Sequence, residues 1–250
     1  MIKLYNNDCL EIMNDISDKS IDMILCDLPY GITKCIWDKV IPNNLLWQQY
    51  KRIIKDNGTI VLFGIEPFAS ELRLSNLEMY RYDWIWEKTQ ATGHLNANKQ
   101  PLRASENILV FYKKSPTYNP QKTQGHTPVH KYTKYLNTQN NTELYGKMSK
   151  ELSGGGNTDR MPRNVIKFSS DKQRIKLHPT QKPVALLEYL IKTYTNENEI
   201  VLDNCMGSGS TGIACINTNR SFVGIELDKK YFEIAKLRIA EKIHEREEKE

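Results

Sequence analysis

The apolar positions of this chain fall into two patterns. In "DMILCD" (22–27) and "TIVLFG" (59–64) they run together, as in buried strands. In "NNLLWQQYKRIIKDNG" (43–58) they recur at helical spacing, which predicts a helix with Gly58 just past its end. "DWIWEK" (83–88) and "NILVFYKK" (107–114) are rich in aromatic and β-branched residues and predict two further strands. This spacing suits a sheet that begins parallel and gains hairpin-like strands at one edge. Beyond residue 183 regular structure returns. "PVALLEYLIKTYT" predicts an amphipathic helix with Pro183 near its first turn, and "EIVLDNC" predicts a strand. "GSGSTGIACINT" is a glycine turn running into a helix, and "SFVGIEL" is another strand. "KKYFEIAKLRIAEKIHEREEKE" is a closing helix whose charged last turns are expected to fray.

Residues 115–176 lack this periodicity. They are rich in Asn, Gln, Thr, Lys and Tyr and carry "SGGGN" at 153–157, which predicts an irregular insert with a glycine hinge. Part of such a segment orders only against a partner. The chain is therefore divided into 1–114, an insert at 115–176, and 177–250, the outer two forming one α/β domain.

Charge sharpens that division. The 250 residues carry a formal net charge of +5, but residues 113–182 hold fourteen Lys and Arg against four Asp and Glu, a local +10. The rest of the chain is then −5. A basic block in an acidic protein suits a polyanion, nucleic acid first, although a solvated lysine-rich loop gives the same count. The five cysteines contain no C-x-x-C pair, which argues against a disulfide framework or a zinc site and for a reducing cytoplasm. No metal is expected. No stretch has the length and apolarity of a membrane span, and "MIKLYNNDCLEIM" lacks a signal-peptide pattern.

Two short stretches carry chemistry. "DNCMGSGSTG" (203–212) follows a strand and opens a helix, and it contains G-x-G-x-x-G at Gly207, Gly209 and Gly212, with Glu226 nineteen residues after Gly207. That pattern fits a dinucleotide fingerprint. Its position near the C-terminal end argues otherwise, because a classical nucleotide-binding half begins with this turn. Asp203 just before it would repel a pyrophosphate but suits a cation. S-adenosylmethionine (SAM), with its ammonium and sulfonium, is such a ligand, and Glu226 could take its ribose hydroxyls.

"CDLPYG" (26–31) ends the first buried strand with an acid, a proline and an aromatic ring. Asp27 can accept one N–H of an exocyclic amine, while the Leu28 or Pro29 carbonyl accepts the other. Tyr30 can stack on the base that bears the amine, and proline helps to aim the carbonyls. Two acceptors set for a tetrahedral nitrogen act chiefly in the transition state, and alignment with a methyl donor does much of the rest. Taken alone, the same residues also suit an Asp that caps a turn and a Tyr that packs in the core.

Together the stretches resemble the amino-group DNA methyltransferases. "DLPY" is similar to their D-P-P-Y motif, "DNCMGSGSTG" to their SAM-binding glycine motif, and "HPTQKP" (178–183) to their motif for the methionine end of SAM. "NNDCLEIM" (6–13) resembles the acidic element before the tetrapeptide strand, and residues 86–114 the strand-loop-strand beside the target base. The motif order is that of the circularly permuted β group. The resemblance covers roughly 1–114 and 178–240 and implies a SAM-dependent, Rossmann-like fold with a doubly wound mixed sheet. It implies Asp27, Pro29 and Tyr30 as catalytic residues, and the insert as the target-recognition region.

For SAM it implies Asp8, Cys9, Asp27, Asp203, Cys205, Gly207, Gly209, Ser210, Thr211, Glu226 and Leu227. Thr180 and Lys182 would reach the SAM carboxylate. Asp8 could instead cap the following helix, Cys205 could simply be a small buried residue, and His178 reads as structural. Lys99, Lys113 and Lys114 suit phosphates or plain solvent, and Trp37 could line the active loop. Leu28 departs from the family pattern, where a proline is usual; its carbonyl remains, with less rigidity.

The implied activity is methyl transfer to adenine N6 in double-stranded DNA, with the base flipped out. Aspartate in the tetrapeptide favours adenine within the family; cytosine N4 is the nearest rival. RNA or a protein side-chain amide is a more distant one, and a non-catalytic DNA-binding protein is a rival of another class. The resemblance also admits a homodimer and a cognate restriction endonuclease as partners.

Overall fold

The computed structural model describes residues 1–31, 39–128, 130–135, 151–169 and 181–248. Chain order runs β1 (Ile2–Asn6), α1 (Cys9–Asn14), β2 (Ile21–Cys26), α2 (Asn43–Ile53), β3 (Ile54–Gly64), α3 (Phe68–Ser75), β4 (Tyr80–Thr92) and β5 (Arg103–Phe111). It continues through β6 (Tyr132–Tyr135), β7 (Glu151–Gly154), β8 (Val165–Phe168), α4 (Val184–Tyr194), β9 (Ile200–Asp203), α5 (Ser210–Asn217), β10 (Ser221–Glu226) and α6 (Lys229–Glu247). The chain forms two units: Met1–Asn119 with Asn164–Glu250, and Pro120–Arg163.

In the first unit, eight strands form one sheet among the described residues, in the order β1-β10-β9-β2-β3-β5-β4-β8. The strands from β1 to β3 in that order are parallel, and β5 is antiparallel to both β3 and β4. This is the mixed sheet expected, parallel first and then hairpin-edged.

The unbroken apolar runs serve both faces of the sheet. Ile60 and Leu62 pack on one side with Leu46, Tyr50 and Ile53 of α2 and Phe68 and Leu72 of α3. Val61 and Phe63 pack on the other with Leu186, Leu187, Leu190 and Ile191 of α4 and Ala214 of α5. A strand covered on both sides needs an apolar side chain at every position, which is why alternation is absent there.

Helix α2 is shorter than its periodicity predicts. It stops at Ile53, and Ile54 begins β3 with extended backbone. Pairing with β2 at Ile21 recruits the end of the helical pattern into the sheet. Gly58 thus lies in a strand rather than past a helix end, where an added Cβ would stand 2.9 Å from the Asp22 carbonyl oxygen. The hairpin is longer than predicted: β4 spans 13 residues and leads to a short 3-10 turn, His94–Asn96. The half-exposed β1, paired with β10 at the sheet edge, gave no clear pattern in advance. Residues 165–168, within the stretch read as irregular, pair with β4 as β8.

The second unit contains the antiparallel pair β6–β7. Thr123 and Arg160 form a further bridge, and Lys122 pairs with Asp159 at 2.7 Å.

Candidate active site

The strand order places β9 beside β2, so the tetrapeptide and the glycine turn leave the carboxyl ends of adjacent strands. A crevice at the ends of such strands is where open α/β sheets bind ligands. A cavity of about 490 Å³ lies there.

Asp27, directly beyond β2, has both carboxylate oxygens engaged. Tyr30 donates its hydroxyl to Oδ1 at 2.7 Å, and the Lys182 ammonium donates to Oδ2 at 2.6 Å. Burial raises the Asp27 pKa against the opposing pull of Lys182. Burial and the Asp27 charge raise that of Tyr30 well above its usual value, which keeps the phenol protonated and donating. The Tyr30 ring lies 4.9 Å from that of Phe68, centre to centre. Lys182 also reaches the Glu106 carboxylate, whose Oε2 is 3.3 Å away, and Lys88 pairs with Glu106 Oε1. Burial would raise the Glu106 pKa, but Lys182 and Lys88 together hold it below the usual carboxylate range. Asp27 has one cation beside it, Glu106 two, and their shifts differ accordingly.

The glycine turn is satisfied internally. Asp203, 3% exposed, accepts the Thr211 hydroxyl at 2.6 Å and the Cys205 N–H at 3.1 Å. Burial outweighs these bonds and pushes its pKa up to about 7. Glu226 at the end of β10 accepts the N–H groups of Gly207 and Asp228, each at 2.8 Å. The Gly207 N–H is thereby committed to a carboxylate. Gly209, with φ 80°, caps α5; an added Cβ would stand 3.0 Å from Ala235 Cβ in α6. At this glycine the turn lies close against α6.

The cavity wall gathers most of the residues singled out in the sequence. Asp27, Pro29 and Tyr30 line it, as do Asp8, Cys9 and Lys182. Asp203, Cys205, Gly207, Ser210, Thr211, Glu226 and Leu227 complete the set. Gly209 is absent from the lining. Asp8 also caps α1, accepting the Leu10 N–H at 2.8 Å. Thr180, His178 and Trp37 lie outside the described residues. Leu28 is 4% exposed; it packs in the core and also lines the cavity. Lys114 pairs with Asp56 at 3.1 Å.

Glu106, Lys88, Gln181 and Asn204 also line the cavity and were not anticipated. A signal for the first two existed. Glu106 shares a strand face with Ile108 and Val110, and Lys88 shares one with Trp84 and Trp86, all four apolar residues being buried. A charge at such an inward position needs a partner. Gln181 Oε1 and Ser210 Oγ are buried without hydrogen-bond partners among the described residues. With the carboxylates of Asp8, Asp203 and Glu226 on the same wall, they suit a ligand bearing an ammonium and hydroxyl donors, as SAM does. No metal-holding group of His, Cys, Asp or Glu occurs among the described residues.

Comparison with known proteins gives a consistent result. The model of the DNA methylase family N6_N4_Mtase matches residues 21–237. The chain is 31% identical to the type II methyltransferase M.HpaI of Haemophilus parainfluenzae, covering 95% of this chain and 74% of that protein. It is 30% identical to the type II methyltransferase M.BglII of Bacillus subtilis, covering 93% and 67%. Among solved structures, the M1.HpyAVI–SAM complex aligns with a TM-score of 0.65 at 29% identity, over 95% of this chain and all of that one. The cytosine-N4-specific PvuII DNA methyltransferase aligns with a TM-score of 0.67 at 15% identity over 95% and 86%, a likeness of fold.

Proposed function

The chain belongs to the DNA methylase family, and from that premise we propose that its target is adenine N6, flipped out of a specific short site in double-stranded DNA. The broader activity, SAM-dependent methylation of DNA, is that of the family. One observation carries the site reading: Asp27 and Tyr30 share a single cavity with the Asp203–Glu226 turn, so a base and a methyl donor can meet there.

When bound, SAM would supply a methyl carbon on a sulfonium, whose C–S bond breaks to leave a neutral thioether as the amine lone pair forms the N–C bond. The residues of the chain arrange the partners of that exchange. Asp27 accepts one amine N–H, and the Leu28 or Pro29 carbonyl accepts the other. This favours the tetrahedral nitrogen over the planar one. Tyr30 stacks on the base. The amine turns cationic as it is methylated, and its spare proton leaves towards Asp27 and water. Asp203 and Asp8 attract the ammonium of SAM, Glu226 takes ribose hydroxyls, and Ser210, Thr211, Cys205, Cys9 and Leu227 shape the remaining wall. Lys182, with Thr180, is the residue the family resemblance assigns to the carboxylate of SAM. Its placement between Asp27 and Glu106 gives it a second task, taken up below.

The basic insert at 115–176 supplies phosphate contacts and base readout, so affinity for DNA falls steeply with salt. A cytoplasmic setting, a homodimer and a cognate restriction endonuclease belong to the same proposal; the endonuclease accords with the type II designation of the relatives. No helix among the described residues is long and apolar enough to cross a membrane.

The test is incubation with SAM and unmethylated bacterial DNA, followed by nuclease digestion and mass spectrometry. N6-methyladenine is the expected product. N4-methylcytosine would overturn the choice of base, and no transfer at all would overturn the catalytic reading.

A further inference from the structure

Asp27 meets the target amine with both of its oxygens already engaged, by the Tyr30 hydroxyl on Oδ1 and the Lys182 ammonium on Oδ2. The ammonium is the greater obstacle. It competes for an oxygen that the amine would use and draws on its negative charge, and it places a positive charge beside a nitrogen that becomes cationic as it takes the methyl group.

A second acceptor for that ammonium is already in reach. Lys182 Nζ lies 3.3 Å from Glu106 Oε2, a buried oxygen with no hydrogen-bond partner among the described residues. Lys88 holds the other oxygen of the same carboxylate and so fixes the acceptor in place. The Phe63 ring, 5.0 Å from the ammonium, and the Tyr30 ring at 5.9 Å flank Lys182, which is 8% exposed. A buried carboxylate oxygen left without a hydrogen bond calls for an explanation, and a partner that arrives during the reaction supplies one.

We infer that Glu106 is a positioning residue that takes the Lys182 ammonium from Asp27 when the target base arrives, leaving Asp27 Oδ2 open to the amine N–H. The exchange moves one ammonium between two carboxylates and leaves the cluster of Asp27, Glu106, Lys88 and Lys182 at the same net charge. Once Lys182 sits on Glu106, the negative charge of Asp27 faces the developing cation undiluted. The inference rests on Asp27 being the acceptor of the amine.

The test is single-turnover methyl transfer by the full chain with SAM and substrate DNA, alongside separate SAM and DNA binding. Glu106→Gln should slow the transfer step by about ten- to a hundredfold while both dissociation constants stay within about twofold. Glu106→Asp keeps the charge that Lys88 and Lys182 need for folding but withdraws the oxygen; it should slow transfer by about three- to tenfold. In a Lys182→Met background, Glu106→Gln should cost less than about threefold more, because no ammonium is left to move. Wild-type transfer in Glu106→Asp or Glu106→Gln overturns the inference. So do losses that simply multiply in the double variant, or a loss that appears in SAM or DNA binding instead of the transfer step. Asp27→Ala separates the two levels. If it retains transfer, the amine-acceptor reading fails; if it abolishes transfer while Glu106→Gln does not slow it, only the handover fails.

Discussion

Asp27 and Asp203 stand at the ends of adjacent strands and line the same cavity, Asp203 buried and Asp27 partly buried, yet they are held in opposite ways. Asp203 is bound by neutral donors of its own turn, a hydroxyl and a backbone N–H, and these contacts fix the loop. Asp27 is bound by an ammonium from a distant segment and by a phenol, and in the handover inferred above the ammonium gives way to a base. The local, neutral set builds a rigid cradle. The long-range, charged set builds a centre whose partners exchange. A site that holds one ligand firmly and performs chemistry on another needs both kinds.

That contrast is broken most severely by Asp27→Ala. Methyl transfer should fall by at least about a thousandfold, roughly 4 kcal/mol in the barrier, while SAM affinity changes by less than about threefold. Rapid-quench assays together with calorimetric titration would read the two effects separately. Asp203→Asn should show the reverse pattern. The amide keeps the turn's shape but loses the charge, so SAM should bind about ten- to thirtyfold more weakly, with the transfer rate at saturation changed far less.

The pH dependence sharpens the difference. Burial sets Asp203 at about 7, and only its ionised form attracts the ammonium. SAM affinity should therefore rise by up to about tenfold between pH 6 and pH 8, with proton release on binding near neutrality; the rise should vanish in Asp203→Asn. Titrations in buffers of different ionisation enthalpy check this. In the free protein the sign is opposite. Native Asp203 keeps a proton that the unfolded chain loses at about 3.8, so its burial lowers stability as pH rises from there towards about 7. Thr211→Val removes one of the neutral donors, and the midpoint of the affinity profile should move upward because less opposes the effect of burial.

The smallest functional effect is expected at Leu28. Leu28→Pro should leave the modified base unchanged, as read by mass spectrometry of digested DNA. It should still lower the midpoint of thermal unfolding, because the Leu28 side chain packs in the core. A switch of base would show that this position helps to select the target.

Much of this architecture was legible in the residues. The continuous runs at 22–27 and 59–64 identified strands covered on both faces, and the aromatic runs at 83–88 and 107–114 identified the hairpin. The tetrapeptide and the glycine turn are ordinary strand exits taken singly, and their order along the chain with the other motifs is what carried the resemblance. The end of α2 was misjudged because the cue at Gly58 is local, while pairing of Ile54 with Ile21 is not. The packing of Gly209 on α6 was not legible, because glycine serves close approach of any kind and spacing does not say to what. Glu106 and Lys88 escaped notice because the strands were read as apolar runs, without asking which charged positions shared the buried face.

By itself the sequence determined most strands and helices of the α/β frame, the concentration of basic residues between its two parts, and two motifs that together resemble those of a family. Such features depend on neighbours a few positions apart, and composition and spacing record them. The tertiary structure alone decided which charges meet. Residues 27, 88, 106 and 182 are brought together by strand order and by the run into α4. Their pairing follows from burial, which makes an unpartnered charge costly.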